Sequence, residues 1–280
     1  MKVAIFGAKG RLGQVLINCI TEQGHEVSAY SKENFDIDRF LNKEQSITEH
    51  LNVIINTIAI TDVDKCEENP AIAQKINAQF PLALAIYCDL KNIRLIHVST
   101  DYVFSGRNSG HYSEYSLPDP ICTYGVSKLQ GEIGVLSVGN NRNLVIRTAW
   151  LFDLHTSNFL TWILGEMNSN KELIKVVADQ YGSPTSTLFL ANKITELIGS
   201  DANNILHLTN LGEASWYQMA QEIAVIKGFA VERLVPINTK SLNRKAPRPT
   251  NTSLISIRDE ELTLDLSTTW ADSLRQVLLN

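Results

Sequence analysis

The chain predicts an α/β fold, a Rossmann-like, doubly wound parallel sheet with a smaller C-terminal α/β substrate-binding domain. Three observations predict it. Short apolar runs alternate with helical stretches through the first half, the runs lack strict polar alternation, and a glycine-rich turn follows the first of them. Runs that are apolar throughout belong to strands buried on both faces, as in a parallel sheet covered by helices.

Each element can be read in order. Val3 to Phe6 is a first strand, and the helical pattern of Leu12, Val15, Leu16, Cys19 and Ile20 follows it. A short run spans Glu26 to Tyr30, and a fully apolar one spans Val53 to Thr57. A long helix from Pro70 to about Leu90 leads to a strand at Ile93 to Val98, and a helix from about Thr123 leads to Leu144 to Arg147. After Trp150 the rhythm weakens. Ser183 to Thr185 opens the way into a helix that runs through Ile198, and His207 to Thr209 is a short strand. Ser215 reads as the N-cap of a helix through Ile226. These signals predict a cofactor-binding domain over 1–150, with 186–210 packing back onto it, and a mainly substrate-binding domain over 151–280.

Composition excludes other classes. Apolar residues make up 44% and charged residues 20%, so the chain is neither disordered nor fibrous. With 25 Lys and Arg against 30 Asp and Glu, the net charge is −5, which offers no general attraction to nucleic acid or an anionic membrane. No run of about 18 apolar residues is present. Cys19, Cys66, Cys88 and Cys122 form no CxxC pair, which fits free thiols in a reducing, cytoplasmic setting. The six histidines make no HxH or HxxxH spacing, so no metal site is expected. Trp270, Leu274 and Leu278 of the last helix suit internal packing and a homodimer contact equally. Pro236 to Ser253 carries Lys240, Arg244, Lys245 and Arg248 with no acid, either a solvated loop or one that closes over an anion such as a diphosphate.

The cofactor signal is Gly7-Ala8-Lys9-Gly10-Arg11-Leu12-Gly13, a GxxGxxG turn between the first strand and the first helix. Glycines permit the tight turn and let backbone amides approach a pyrophosphate at a helix N-terminus. The second strand ends Tyr30-Ser31-Lys32, and Arg11 comes from the turn itself. Cations there suit the 2′-phosphate of NADPH, while Glu33 and Asp36 leave NADH open.

Tyr124 and Lys128 stand four residues apart, on one face of a helix. An ammonium one turn away favours phenolate and makes tyrosine a usable general acid near neutrality. Ser99-Thr100-Asp101-Tyr102 follows a parallel strand, at the sheet end where α/β folds bind ligands. Thr100, Tyr124 and Lys128 together form an apparatus for exchanging a hydride with a carbonyl. Thr100 would bond the carbonyl oxygen, Tyr124 would give the proton and Lys128 would hold the nicotinamide ribose.

With these residues in place, the chain resembles the extended short-chain dehydrogenase/reductases, and within them the dTDP-4-dehydrorhamnose reductase family. The likeness runs over nearly the whole chain: NTIAITDVDKCE (56–67), STDYVF (99–104), YGVSKLQGE (124–132), RTAWLF (147–152), DQYGSPT (179–185), SWYQMA (215–220) and RPTNTSL (248–254). The resemblance implies Thr100, Tyr124 and Lys128 as the catalytic positions. Asp36-Ile37 corresponds to the element beside the adenine, and Ala59 and Thr61 to the loop along the cofactor, a set that also takes in Asn77 and Ser99. It implies Thr100, Asp101, Trp150, Asp179, Gln180, Arg248 and Asn251 on the substrate side. The activity it implies is NADPH-dependent reduction of the 4-keto group of a nucleotide-linked 6-deoxy sugar, dTDP-4-dehydro-L-rhamnose first.

Sibling chemistries fit less well. The similar 4,6-dehydratases carry Asp-Glu after the threonine, whereas Tyr102 follows Asp101 here, and the GDP-fucose synthases carry a cysteine at the position of Thr100. The chain departs from the family pattern at Thr57-Ile58-Ala59, where small alanines are usual, at Pro247, which replaces an arginine, and at Leu151-Phe152-Asp153, where an aromatic and a glycine are usual. A reductase of another keto-sugar nucleotide remains an alternative. So does a non-catalytic relative similar to the regulatory subunit of methionine adenosyltransferase.

Overall fold

A computed structural model describes residues 1–108, 110–139 and 142–279. The chain runs β1 (Lys2–Phe6), α1 (Arg11–Glu22), β2 (Glu26–Tyr30), α2 (Ile37–Leu41), β3 (Val53–Asn56), α3 (Val63–Glu68), α4 (Pro70–Gln74), a π turn (Lys75–Gln79), α5 (Phe80–Lys91) and β4 (Arg94–Thr100). It continues with α6 (Thr123–Leu136), β5 (Leu144–Thr148), β6 (Leu151–Phe152), α7 (Phe159–Asn168), β7 (Ile174–Val177), β8 (Tyr181–Gly182), β9 (Thr185–Ser186) and α8 (Thr187–Leu197). The last elements are β10 (Asn204–His207), β11 (Ala214–Ser215), α9 (Trp216–Lys227), β12 (Leu234–Ile237) and α10 (Trp270–Leu279).

Six strands form one parallel sheet in the order β10-β5-β4-β3-β1-β2. Val3 and Ile5 face one layer of helices, with Leu16 and Ile20 of α1 and Leu190 and Ile194 of α8. Ala4 and Phe6 face the other, with Phe80 and Leu84 of α5. Alternate residues of one apolar run thus feed two separate cores, which is why the run shows no polar alternation. The helix over 187–197 packs on α1 and β10 pairs with β5, so this stretch returns to the sheet. A third core gathers Phe152, Leu160, Ile163, Ile174, Val176, Met219, Ile223 and Leu234. Leu274 and Leu278 of α10 are buried in it, so that helix spends its apolar face internally.

Two elements differ from the sequence expectation. The long helix from Pro70 is interrupted by the π turn at Lys75–Gln79. Pro81 has no N–H and its ring crowds the carbonyl four residues back, that of Asn77, so the backbone widens there. The freed carbonyl lies against Gly131 of α6, where a Cβ would run into the Asn77 oxygen. The other difference is β10, which covers Asn204–His207 and stops before Leu208 and Thr209. Its register against β5 ends at His207 opposite Arg147.

Gly131→Ala is expected to cost about 1–3 kcal/mol, because backbone on both sides must give way for one methyl. Chemical denaturation measures it, and an unchanged midpoint would contradict this account of the helix contact.

Candidate active site

The glycine turn builds its own cradle. Gly7 adopts φ +89°, with room for a Cβ denied by Thr57 Oγ1 at 2.5 Å, and a Cβ on Gly13 would strike the Gly7 carbonyl. Gly10 caps α1 without a side-chain hydrogen bond, and the first turn holds no acid. The leading amides of the helix are therefore left for an anion, favoured there by the helix dipole. Two cavities of about 600 and about 630 Å³ meet at this turn and share Gly10, Thr57 and Ala59 as walls. One contains Gly7, Lys9, Ser31, Lys32, Asp36 and Ile37. The other contains Arg11, Leu12, Thr61, Ser99, Thr100, Asp101, Tyr124, Lys128 and Trp150. A bent groove of this kind, with an uncapped helix end at its middle, fits a dinucleotide.

Several predicted cofactor residues have other duties. Arg11 does not reach toward Ser31 and Lys32. Its guanidinium donates to Thr156 Oγ1 at 2.7 Å, the Leu151 carbonyl at 2.8 Å and the Ser157 carbonyl at 2.6 Å, and pairs with Asp153 at 3.3 Å. Asp153, one of the departures from the family pattern, thus ties the turn to the loop after Trp150. Lys9 is paired with Glu33, while Asp36 caps α2 by accepting from the amides of Asp38 and Arg39. Asn77 is fully buried away from both cavities. It clasps the backbone of Ile60 through both amide atoms and donates to Ser127 Oγ at 3.1 Å, so it shapes the cofactor-side loop from behind.

Thr100, at the carboxyl end of β4, and Tyr124 and Lys128, on the inner face of α6, converge on the cavity of about 600 Å³. Burial drives the Tyr124 phenol well above its ordinary range, a hydrogen bond from the Thr100 side pulls it back, and Asp101 pushes it further up. Burial also lowers Lys128 to about 8, against the attraction of Glu132. Its ammonium donates to the Val98 carbonyl at 2.7 Å and lies 3.4 Å from His97 Nε2. The expected depression of the tyrosine by the lysine is therefore not what dominates here, because desolvation of the phenol outweighs it. Ser99 forms part of the cavity wall and donates its hydroxyl to Glu132 at 2.5 Å.

Glu132 was not singled out from the sequence, yet it continues the face of Tyr124 and Lys128 by one more turn. Its carboxylate pairs with Arg147 at 2.6 Å, both side chains 1% exposed, and Arg147 lies over the Phe104 ring at 5.1 Å. The spacing of four on an inner helix face was the available signal. Asp101 is also buried. Its carboxylate accepts from Thr252, and burial raises it to about 6 even against that bond and one from Thr100.

On the substrate side, Trp150 sits in the left-handed region at φ +45° and stacks on Trp216, ring centroids 3.5 Å apart at 2°. Gly182 lies under its indole, where a Cβ would collide with it. Trp216 and Phe159 also line the cavity and were missed. Thr100 and Asp101 line the cavity too, whereas Asp179, Gln180, Arg248 and Asn251 are not brought to its wall. Gln180 accepts from Trp216 Nε1 at 3.2 Å and donates to Thr239, whose amide and hydroxyl both donate to Asp179. Asn251 caps the amide of Ser253. Arg248 pairs with Asp64 at 3.0 Å, Arg244 approaches the same carboxylate at 3.7 Å, and Lys245 pairs with Glu68. The basic segment is thus a strap docked on α3 through Arg244, Lys245 and Arg248, with Lys240, Arg244 and Lys245 still exposed to solvent. No cluster of His, Cys, Asp and Glu able to hold a metal occurs among the described residues.

Two stability predictions follow from these charges. Arg147→Met should destabilise by about 3–5 kcal/mol in denaturation, because it leaves Glu132 buried and unpaired, and adding Glu132→Leu should recover most of the loss. For Asp101, a folded value raised from 3.8 to about 6 means the unfolded chain ionises first. Folding is penalised progressively as pH rises from about 4 to about 6, and by roughly 3 kcal/mol above that. Asp101→Asn should therefore stabilise at pH 7 and be neutral near pH 4, and an equal effect at both would contradict the burial account.

The chain is similar to known proteins in sequence and in fold. The family model for the RmlD substrate binding domain matches residues 1–280. The chain is 33% identical over 284 residues to the dTDP-4-dehydrorhamnose reductase of Mycolicibacterium smegmatis, covering 99% of this chain and 85% of that protein. The crystal structure of a dTDP-4-dehydrorhamnose reductase from Clostridium acetobutylicum superimposes with a TM-score of 0.91 at 33% identity, over 99% of this chain and 98% of the other. That of Bacillus anthracis, in complex with NADP, gives a TM-score of 0.91 at 30% identity, over 99% and 98%.

Proposed function

From the premise that the chain belongs to the RmlD substrate binding domain family, that of the dTDP-4-dehydrorhamnose reductases, we propose that it reduces the 4-keto group of dTDP-4-dehydro-L-rhamnose with NADPH. The observation that carries this reading is the convergence of Thr100, Tyr124 and Lys128 on a cavity continuous with the glycine turn. The uncapped α1 terminus would hold the pyrophosphate. Ser31 and the exposed Lys32 would take the 2′-phosphate, since the Arg11 guanidinium is turned to the Leu151–Ser157 loop. NADPH, when bound, supplies the hydride for the sugar C4.

The chain's own residues do the rest. The Thr100 and Tyr124 hydroxyls hold the keto oxygen, and the Tyr124 phenol, kept protonated by burial, delivers its proton to that oxygen as charge develops. Lys128 holds the ribose and offsets the phenolate left behind. Trp150, braced by Trp216, walls the sugar side, and Asp101 with Thr252 closes its floor. Four buried free cysteines, and no helix among the described residues long and apolar enough to cross a membrane, support action in the cytoplasm. Any homodimer must use a surface other than the buried face of α10.

NADPH consumption with dTDP-4-dehydro-L-rhamnose is the test. Tyr124→Phe should lower kcat by about 10²–10⁴ with NADPH affinity nearly unchanged. Full turnover in that variant would overturn the assignment of the proton donor. Tight NADPH binding without turnover on any keto-sugar nucleotide would instead point to a regulatory subunit.

A further inference from the structure

Behind Lys128 lies a buried polar chain that the reaction scheme does not use. His97, on β4, is wholly buried between Asn56 at the end of β3 and Lys128 on α6. Its Nδ1 lies 3.1 Å from Asn56 Nδ2, and its Nε2 lies 3.4 Å from Lys128 Nζ. The orientation of the Asn56 amide is set independently, because its Oδ1 accepts from the Ile58 backbone N–H at 3.1 Å. The other end of that amide is then an NH₂ group, which only donates.

Hydrogen-bond accounting leaves one arrangement. His97 Nδ1 must present its lone pair to Asn56. Burial and the neighbouring lysine hold the ring neutral, so its single proton sits on Nε2, directed at Lys128. A lysine facing an N–H meets it best as an amine, with its lone pair toward His97 and one N–H on the Val98 carbonyl. An ammonium there must turn a hydrogen toward another hydrogen. The other ionisable groups around Lys128 are Tyr124 and Glu132 on its own helix, Asp101 beyond the end of β4, and Arg147 on β5. Arg147 is committed to Glu132, and Glu132 acts in the opposite sense to His97.

We propose that His97 is a positioning residue for the reductive site, locked by Asn56 in the Nε2–H tautomer so that it weakens the hold of Lys128 on its proton. This rests on the role given to Lys128 above, but the tautomer itself does not. The contrast with His207 supports the reasoning. That ring donates from Nδ1 to the carbonyls of Tyr112 and Ile255 and turns its Nε2 lone pair to Arg147, the opposite tautomer facing the opposite kind of partner.

The experiment is nuclear magnetic resonance on the full chain with ¹⁵N-labelled histidine rings and ¹³Cε-labelled lysine, without substrate. His97 should carry its proton on Nε2 at neutral pH, and Lys128 should titrate near 8. Asn56→Ser puts a hydroxyl, which donates or accepts equally well, in place of the amide and frees the tautomer. The Lys128 midpoint should then rise by roughly one pH unit. The alkaline arm of kcat should move with it while KM for the keto-sugar stays put, whereas a merely structural defect would lower kcat at every pH. Should Asn56→Ser fail to fold, Asn56→Asp, whose carboxylate demands a proton on Nδ1, gives the same readout. A wild-type Nδ1–H tautomer, or an unmoved Lys128 midpoint in the variant, overturns the proposal. Absence of turnover with the tautomer and the shift both present refutes the substrate reading alone.

Discussion

Glu132 and Arg147 hold the catalytic helix to the sheet from a position almost wholly out of water. Two charges in that setting carry a desolvation cost that only close geometry and further hydrogen bonds offset. Both are supplied: Ser99 donates to the carboxylate, while Phe104 and His207 flank the guanidinium. The partners come from β4, β5 and β10, so the pair fixes α6 against three neighbouring strands at their carboxyl ends. The orientation of Tyr124 and Lys128, two turns and one turn before Glu132, follows from that anchorage.

A second set of ties joins the sheet to the residues after Trp150. Arg11 reaches from the glycine turn to the Leu151–Ser157 loop, and Asp153 receives it while capping the amides of His155 and Thr156. The strap from Ala246 to Ser253 crosses the other side, held by Asp64 on α3, by Gly106 through Thr250 and by Asp101 through Thr252. Trp150 stands between these ties in a backbone conformation that costs on the order of 1–3 kcal/mol. The stack on Trp216 and the missing side chain of Gly182 sustain it.

Burial sets the electrostatics of the site. Tyr124 and Asp101 are pushed toward their protonated forms, and Lys128 and His97 toward their neutral ones. The result is a region of low charge beside a helix terminus of positive potential, where a proton donor is kept loaded a short distance from a place suited to an anion. Close hydrogen bonding then decides the remaining detail, as at His97, where an amide two strands from the catalytic helix settles which nitrogen bears the proton.

Periodicity and glycine placement in the sequence determined the parallel sheet, the cofactor turn and the Thr100, Tyr124 and Lys128 positions, because each depends on local chemistry at short spacing. The N-cap at Ser215 was legible for the same reason, a hydroxyl three residues ahead of Gln218. What depended on distant partners was not legible. Arg11 reads as a cofactor cation until the loop carrying Thr156 and Ser157 closes on it, and the strap cations read as free until α3 presents Asp64 and Glu68. Asn77 reads as a cofactor residue until the loop carrying Ile60 closes on its amide. Glu132, Trp216 and His97 matter through residues far away in the chain, and a side chain's charge or tautomer follows from which groups the fold packs against it and how much water it removes.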